Sequence, residues 1–124
     1  MYVLHHLNNS RSQRILWLME ELGLEYELRR YDRDPVSNLA PPELAEVHPL
    51  GKSPVLEDGD RVIAESAAIV ELLCRRHGPQ MLPEAGSDAE IAHHELMHFA
   101  EGSAMTPILL NLYVGRLGDA AEPL

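Results

Sequence analysis

Residues 48–73 read HPLGKSPVLEDGDRVIAESAAIVELL. Two short β-favouring runs, 55–57 and 61–64, flank Asp58-Gly59-Asp60, which is a hairpin signal. Ser53-Pro54 stands just ahead of the first run, and an X–Pro bond beside an edge strand is a candidate for the cis form. Ser66 follows the second run and predicts the N-cap of a helix to about His77, with Ile69, Val70, Leu72 and Leu73 inside it. The segment therefore predicts β-β-α.

Working towards the N-terminus, residues 42–47 allow a short helix and 34–42 read as a polar, proline-rich loop. Residues 26–31 predict a strand between turn signals. Residues 12–22 predict a helix, because Ile15, Leu18, Met19 and Leu22 form one apolar stripe at helical spacing. Gly23 supplies its stop. Residues 2–6 predict a first strand, interrupted by Asn8, Asn9 and Ser10. The order β-α-β implies a parallel pair joined by a crossover helix, to which the hairpin adds an antiparallel pair. A mixed sheet with helices on its faces is an α/β layer architecture.

Towards the C-terminus, residues 78–88 (GPQMLPEAGSD) are rich in Gly and Pro and read as a linker. A second helical pattern starts at Asp88. Pro107 should kink or interrupt it, since proline removes a helical donor. The last residues, GDAAEPL, read as a loop. The predicted division is 1–78, a linker at 79–87, and a helical segment at 88–124.

The composition limits the function. The chain of 124 residues carries 20 acidic and 10 basic residues, a formal charge of −10. That balance disfavours non-specific binding to nucleic acid or an anionic membrane face. It leaves room for a small, locally positive site. The single cysteine, Cys74, excludes an intrachain disulfide. Within a helix it reads as an inert buried thiol. No signal peptide is visible at the N-terminus, and no apolar run approaches the ~20 residues that span a bilayer. The expectation is a cytoplasmic protein.

Three features are candidates for chemistry: the Ser10 hydroxyl before the first helix, Ser53-Pro54 before the hairpin, and Glu65-Ser66 at its end. Helix N-termini present unpaired N–H groups and partial positive charge, so those near Ser12 and Ser66 suit a thiolate and a carboxylate. A thiol near such a terminus has a lowered pKa, and the thiolate is the nucleophile. Ser10 could donate a hydrogen bond to it; Ser12 and Asn9 are rivals for that role. Arg14 reads as structural, Asp32-Arg33-Asp34 as a solvated charge cluster, and Tyr2, Trp17 and Tyr31 as core or near-core aromatics.

These residues carry a family resemblance. SRSQRILWLMEELGLEYE resembles the first helix and second strand of bacterial and fungal glutathione S-transferases. HPLGKSPVLEDGDRVIAESAAIVELL resembles their cis-proline, hairpin and third helix, and HFAEGSAMTPILL the opening of their helical domain in one bacterial subgroup. The resemblance implies a thioredoxin-like βαβ-α-ββα domain followed by the start of an all-α domain. It implies a transferase that binds glutathione as co-substrate, stabilises its thiolate and passes it to a small electrophile, with no metal. By the same resemblance, Ser10 stabilises the thiolate. Lys52 reaches the glycyl carboxylate, and Ser53 pairs with the cysteinyl backbone beside cis Pro54. Glu65 and Ser66 take the γ-glutamyl ammonium and carboxylate. The family's helical domain runs further, so an electrophile pocket would be incomplete here. Met105, Leu109 and Tyr113 share one helical face and are candidates for it. A helix apolar on several sides needs several neighbours. A homodimer is expected, with the helices beginning at Ser66 and Asp88 in contact.

Other readings remain open. Glutathione-dependent peroxide or disulfide reduction would use the same thiolate, and a non-catalytic binding module is compatible with the fold. His94-Glu95-Leu96-Met97-His98 matches H-E-x-x-H, the pattern of zinc hydrolases, but lacks a third histidine at the expected spacing.

Overall fold

The computed structural model describes residues 1–122. The chain forms two units, Met1–Leu82 and Pro83–Leu124. The boundary falls inside the Gly- and Pro-rich stretch.

In the first unit the elements run β1 (Tyr2–Leu7), α1 (Ser12–Glu21), β2 (Tyr26–Tyr31), α2 (Glu43–Val47), β3 (Val55–Asp58), β4 (Arg61–Ala64) and α3 (Ser66–His77). The sheet order is β2-β1-β3-β4. β1 and β2 are parallel, whereas β3 is antiparallel to both β1 and β4. This is the expected mixed sheet and thioredoxin-like arrangement. Side chains alternate across a strand. Leu4 and Leu56 therefore face one way, forming a core with Ile15 and Met19 of α1 and Ile69 and Leu73 of α3. His5 and Leu7 face the other way and are also buried.

The ends of the elements follow their local chemistry. Gly23, at φ +62°, closes α1. Its N–H bonds the Glu20 carbonyl and the Leu24 N–H bonds that of Met19, the double closure of a Schellman motif. Gly59, at φ +61°, makes the hairpin turn. Two readings from the sequence are corrected. Ser66 is the first helical residue of α3, and the cap position belongs to Glu65, whose side chain makes no capping bond. Trp17 is 69% exposed, because it sits off the stripe of Ile15 and Met19; its indole N–H donates to Glu21 one turn on, at 3.0 Å.

The second unit holds α4 (Asp88–Phe99) and α5 (Met105–Gly115). Ser87 caps α4, accepting the Glu90 N–H. Between the helices, Ala100–Ala104 form a wide π-type turn. Pro107 lies in the first turn of α5, where its ring and missing N–H oppose a continuous α-helical ladder; the interruption expected there is the widened turn. Residues Gly118–Ala121 form a short 3-10 turn. The rest of the expected terminal loop, Pro123 and Leu124, lies outside the described residues. Among the described residues no helix is long and apolar enough to cross a membrane.

Candidate functional site

The registers bring three distant segments to one end of the sheet. His5 pairs with Val55 and Val55 with Ala64. The end of β1, the start of β3 and the end of β4 therefore share an edge, from which α1 and α3 also begin. In open α/β sheets this is where ligands bind, outside the carboxyl ends of strands.

A cluster of hydroxyls lies there. Ser10 Oγ is 2.7 Å from Ser12 Oγ and accepts the Ser12 N–H at 3.2 Å. Ser12 Oγ is 2.8 Å from His6 Nδ1 and also meets the Leu7 N–H and carbonyl, at 3.3 and 3.2 Å. Ser53 Oγ donates to the His5 carbonyl at 2.8 Å, accepts the Leu7 N–H at 3.1 Å, and stands 3.5 Å from Ser10 Oγ. Two residues 43 apart in sequence thus meet at the first strand. Ser12 is wholly buried, whereas Ser10 and Ser53 are half-buried. Asn9 is exposed and left-handed, at φ +49°; its backbone turns the chain so that Ser10 points back to the helix start.

The Ser53–Pro54 bond is cis, as expected. Lys52, one residue earlier, is exposed. On the far side, Glu65 has φ +71° and ψ +111°, a region that strains any residue with a Cβ. Its side chain is exposed while its carbonyl accepts the Ile69 N–H, the first bond of α3. Ser66 is 6% exposed. Among the described residues, Lys52, Glu65 and Ser66 make no side-chain hydrogen bond to the Ser10 cluster, so the structure joins Ser10 to Ser53 directly and the others only by sharing the sheet edge.

Two further groups support this edge. Arg33 does more than solvate a loop, which corrects the sequence reading. Its backbone N–H bonds the Asn8 side chain, and its guanidinium bonds the carbonyls of Asn8, Asn9 and Asn38. It clamps the turn that carries Ser10. His5 is fully buried, with Nε2 2.6 Å from Glu57 and Nδ1 2.8 Å from the Tyr31 hydroxyl. Burial first, then nearby Glu57, Glu43 and Glu46, push the Tyr31 phenol up; Arg29 opposes them. The ring pins β1 between β2 and β3, and its own carbonyl holds Ser53. His6 is half-buried, and its pKa is lowered below 6.5 by burial and then by Arg30. The sequence alone singled out neither His5 nor His6 and read Arg33 only as part of a charge cluster: most of their partners are remote and no spacing rule joins them.

The remaining candidates lie elsewhere. Cys74 is 4% exposed, and burial pushes its thiol up. Met105, Leu109 and Tyr113 recur at four-residue intervals along α5 and so share a face of it. His94 and His98 are on α4, His94 lying 3.8 Å from Glu90. Among the described residues no group of three His, Cys, Asp or Glu is placed to hold a metal.

A thioredoxin-like sheet with a cis-proline and two helix starts at one edge defines the class. The family model for the glutathione S-transferase N-terminal domain matches residues 1–75. The chain belongs to the glutathione S-transferase family. It is 50% identical over 106 residues to glutathione S-transferase 3 of Schizosaccharomyces pombe, covering 85% of this chain and 43% of that one. The crystal structure of a glutathione S-transferase from Actinobacillus pleuropneumoniae matches with a TM-score of 0.79 and 42% identity, over 96% of this chain and 55% of the other. A theta-class enzyme from Xanthomonas axonopodis pv. citri, solved with glutathione bound, matches at 0.64 and 25% identity, over 81% and 48%. The chain spans about half the length of these relatives.

Proposed function

We propose that this chain binds glutathione at the edge where β1, β3 and β4 meet, and that it serves a transferase which stabilises the glutathione thiolate and passes it to an electrophile. The observation that carries this reading is the meeting of Ser10 and Ser53 at the start of α1, beside a cis Pro54. An extended peptide lying along cis Pro54 would place its cysteinyl backbone on Ser53 and its sulfur near Ser10. There the α1 N-terminus and the Ser10 hydroxyl would favour the anion over the thiol. Glu65 would take the γ-glutamyl ammonium, Ser66 at the α3 N-terminus its carboxylate, and Lys52 the glycyl carboxylate. Holding both reactants supplies proximity, so the site needs no metal for its part.

Serine at position 10 favours transfer over disulfide exchange. A hydroxyl can hold a thiolate by hydrogen bonding but cannot form a mixed disulfide with it. Peroxide or disulfide reduction would then depend on the glutathione thiolate alone. Met105, Leu109 and Tyr113 are the proposed electrophile-facing residues, on the helical segment of the 1–78, 79–87, 88–124 division. Cytoplasmic location and a detoxifying role accord with this chemistry.

The protein is also proposed to pair with itself through α3 and α4. Supporting this, Ile91, Leu96 and Phe99 of α4 and Ile108, Leu110, Leu112 and Tyr113 of α5 are all exposed, and apolar surface of that extent favours association. Sedimentation should find a dimer; a stable monomer at all concentrations would count against it. A thiol-conjugation assay with a general electrophile tests the transferase reading, and loss of activity on Ser10→Ala with glutathione still bound is the expected result.

A further inference from the structure

Hydroxyls carry one proton and two lone pairs, so a chain of them has a direction. Ser10 Oγ, Ser12 Oγ and His6 Nδ1 form such a chain, with steps of 2.7 and 2.8 Å. Two directions carry it from end to end, although Ser12 Oγ can also donate to the Leu7 carbonyl at 3.2 Å and Ser10 Oγ to Ser53 Oγ at 3.5 Å. If His6 Nδ1 is unprotonated, Ser12 donates to it and Ser10 donates to Ser12; the Ser10 proton then points inward. If His6 Nδ1 carries a proton, it donates to Ser12, Ser12 donates to Ser10, and the Ser10 proton is free to point outward. In the second case the lone pairs of Ser10 are occupied by the N–H and O–H of Ser12. The lone pairs of Ser12 are occupied by Leu7 N–H and His6. Both arrangements turn the Ser12 proton away from the Leu7 carbonyl equally, so reversal between them exchanges one full set of contacts along the chain for another.

We infer that His6 is a positioning residue that takes up the glutathione thiol proton through Ser12 and Ser10. The inference rests on the proposed placing of the thiol at Ser10. The thiol gives its proton to Ser10 Oγ, Ser10 gives its own to Ser12 Oγ, and Ser12 gives its own to His6 Nδ1. One S–H and two O–H bonds break; two O–H bonds and one N–H bond form. The sulfur keeps its electron pair as thiolate, and His6 becomes an imidazolium. The reversal leaves the new Ser10 O–H aimed at the thiolate, the donor that the anion requires. His6 then releases its Nε2 proton to solvent, reached through its half-exposed ring, and remains as the Nδ1–H tautomer. Three features agree with this. Burial and then Arg30, which faces His6 from β2, lower the imidazole pKa; this favours the neutral ring that can receive a proton and also loosens its hold on that proton, so the proton passes on. Asp32 lies 3.9 Å from Arg30 and moderates that charge. Ser12, wholly buried, has no access to a ligand of its own, so its hydroxyl can act on one only through Ser10.

The test is 15N NMR of histidine-labelled full chain, with the His6 signals assigned by their loss in His6→Asn. Without ligand, His6 Nδ1 should appear as an unprotonated acceptor. With glutathione it should become protonated. With S-methylglutathione, which has no thiol proton, it should stay unprotonated. An Nδ1 that is the same in all three states overturns the relay. If glutathione binds and Ser10→Ala raises the bound thiol's pKa, but Ser12→Ala and His6→Asn do not, the relay fails while the site stands. If neither ligand binds the folded chain, the site and the relay fall together. The His6 signals can also be assigned in the unaltered chain by through-bond correlation, so a variant that does not fold leaves the inference open to refutation.

Discussion

Ser10 Oγ and Ser12 Oγ lie 2.7 Å apart, yet Ser12 is wholly buried while Ser10 is half-exposed. The two hydroxyls therefore differ in what they can touch. Ser10→Ala should leave glutathione affinity within about twofold and raise the bound thiol's pKa, with conjugation slowed about 100- to 1,000-fold, the scale of losing one donor to a developing anion. Ser12→Ala should also raise the bound thiol's pKa, by cutting the relay, and in addition lower stability by about 1–3 kcal/mol, because it strips partners from buried groups. Thiolate absorbance and chemical denaturation read the two effects. A full conjugation rate in Ser10→Ala, with a loss in Ser12→Ala at unchanged stability, would reverse the assignment.

Glu65 holds φ +71° without being glycine, a conformation that costs on the order of 1–3 kcal/mol. Glu65→Gly should relieve it, and after the extra entropy of an unfolded glycine the chain should gain about 1 kcal/mol. The same variant should bind glutathione more weakly. More stability with less affinity is the pattern of strain retained for a site. A destabilised Glu65→Gly would show that the backbone there is not strained.

Arg33 ties three carbonyls of the loops around Ser10. Arg33→Ala should cost about 1–2 kcal/mol of stability, the scale of lost charged hydrogen bonds at a partly exposed position. It should also slow conjugation by freeing the turn. Hydrogen exchange of residues 8–10 should rise with it. An unchanged exchange pattern would remove Arg33 as a clamp.

The elements of the first unit were legible because their signals are local. The stripe of Ile15, Leu18, Met19 and Leu22 needs only one helix, and Gly59 only one turn. Ser10, Ser53 and Glu65 were named from residue type and resemblance. What escaped was relational. His5 and Glu57 are 52 positions apart, and only the antiparallel register of β1 and β3 brings them together. Arg33 looked like a surface charge because its acceptors are backbone carbonyls, which have no signature in side-chain chemistry. Trp17 was misplaced for the opposite reason: aromatic size suggested a core, but the helical phase set by Ile15 and Met19 turns it to solvent. Ser66 has the chemistry of a cap, yet the strained Glu65 occupies that position.

Burial pushes the Cys74 thiol above its ordinary value of 9.0. The thiolate fraction at pH 7 is correspondingly small and should grow as pH rises through and past that value. In the native chain a thiol reagent should therefore react with Cys74 about a hundredfold more slowly than in denatured protein, where exposure no longer limits it. The native rate should still be climbing with pH above 9.0. Fast labelling at pH 7 would place Cys74 at an accessible, activated position and reopen its role.

The central claim is that the edge joining Ser10, Ser53 and Glu65 is a glutathione site. Isothermal titration of glutathione into the folded chain tests it most directly. Binding should saturate at one site per chain and be weakened in Glu65→Ala by ~1.5–3 kcal/mol, the range for a hydrogen bond to a charged group. Absence of binding by a chain shown to be folded, or an affinity unchanged in Glu65→Ala, would contradict it.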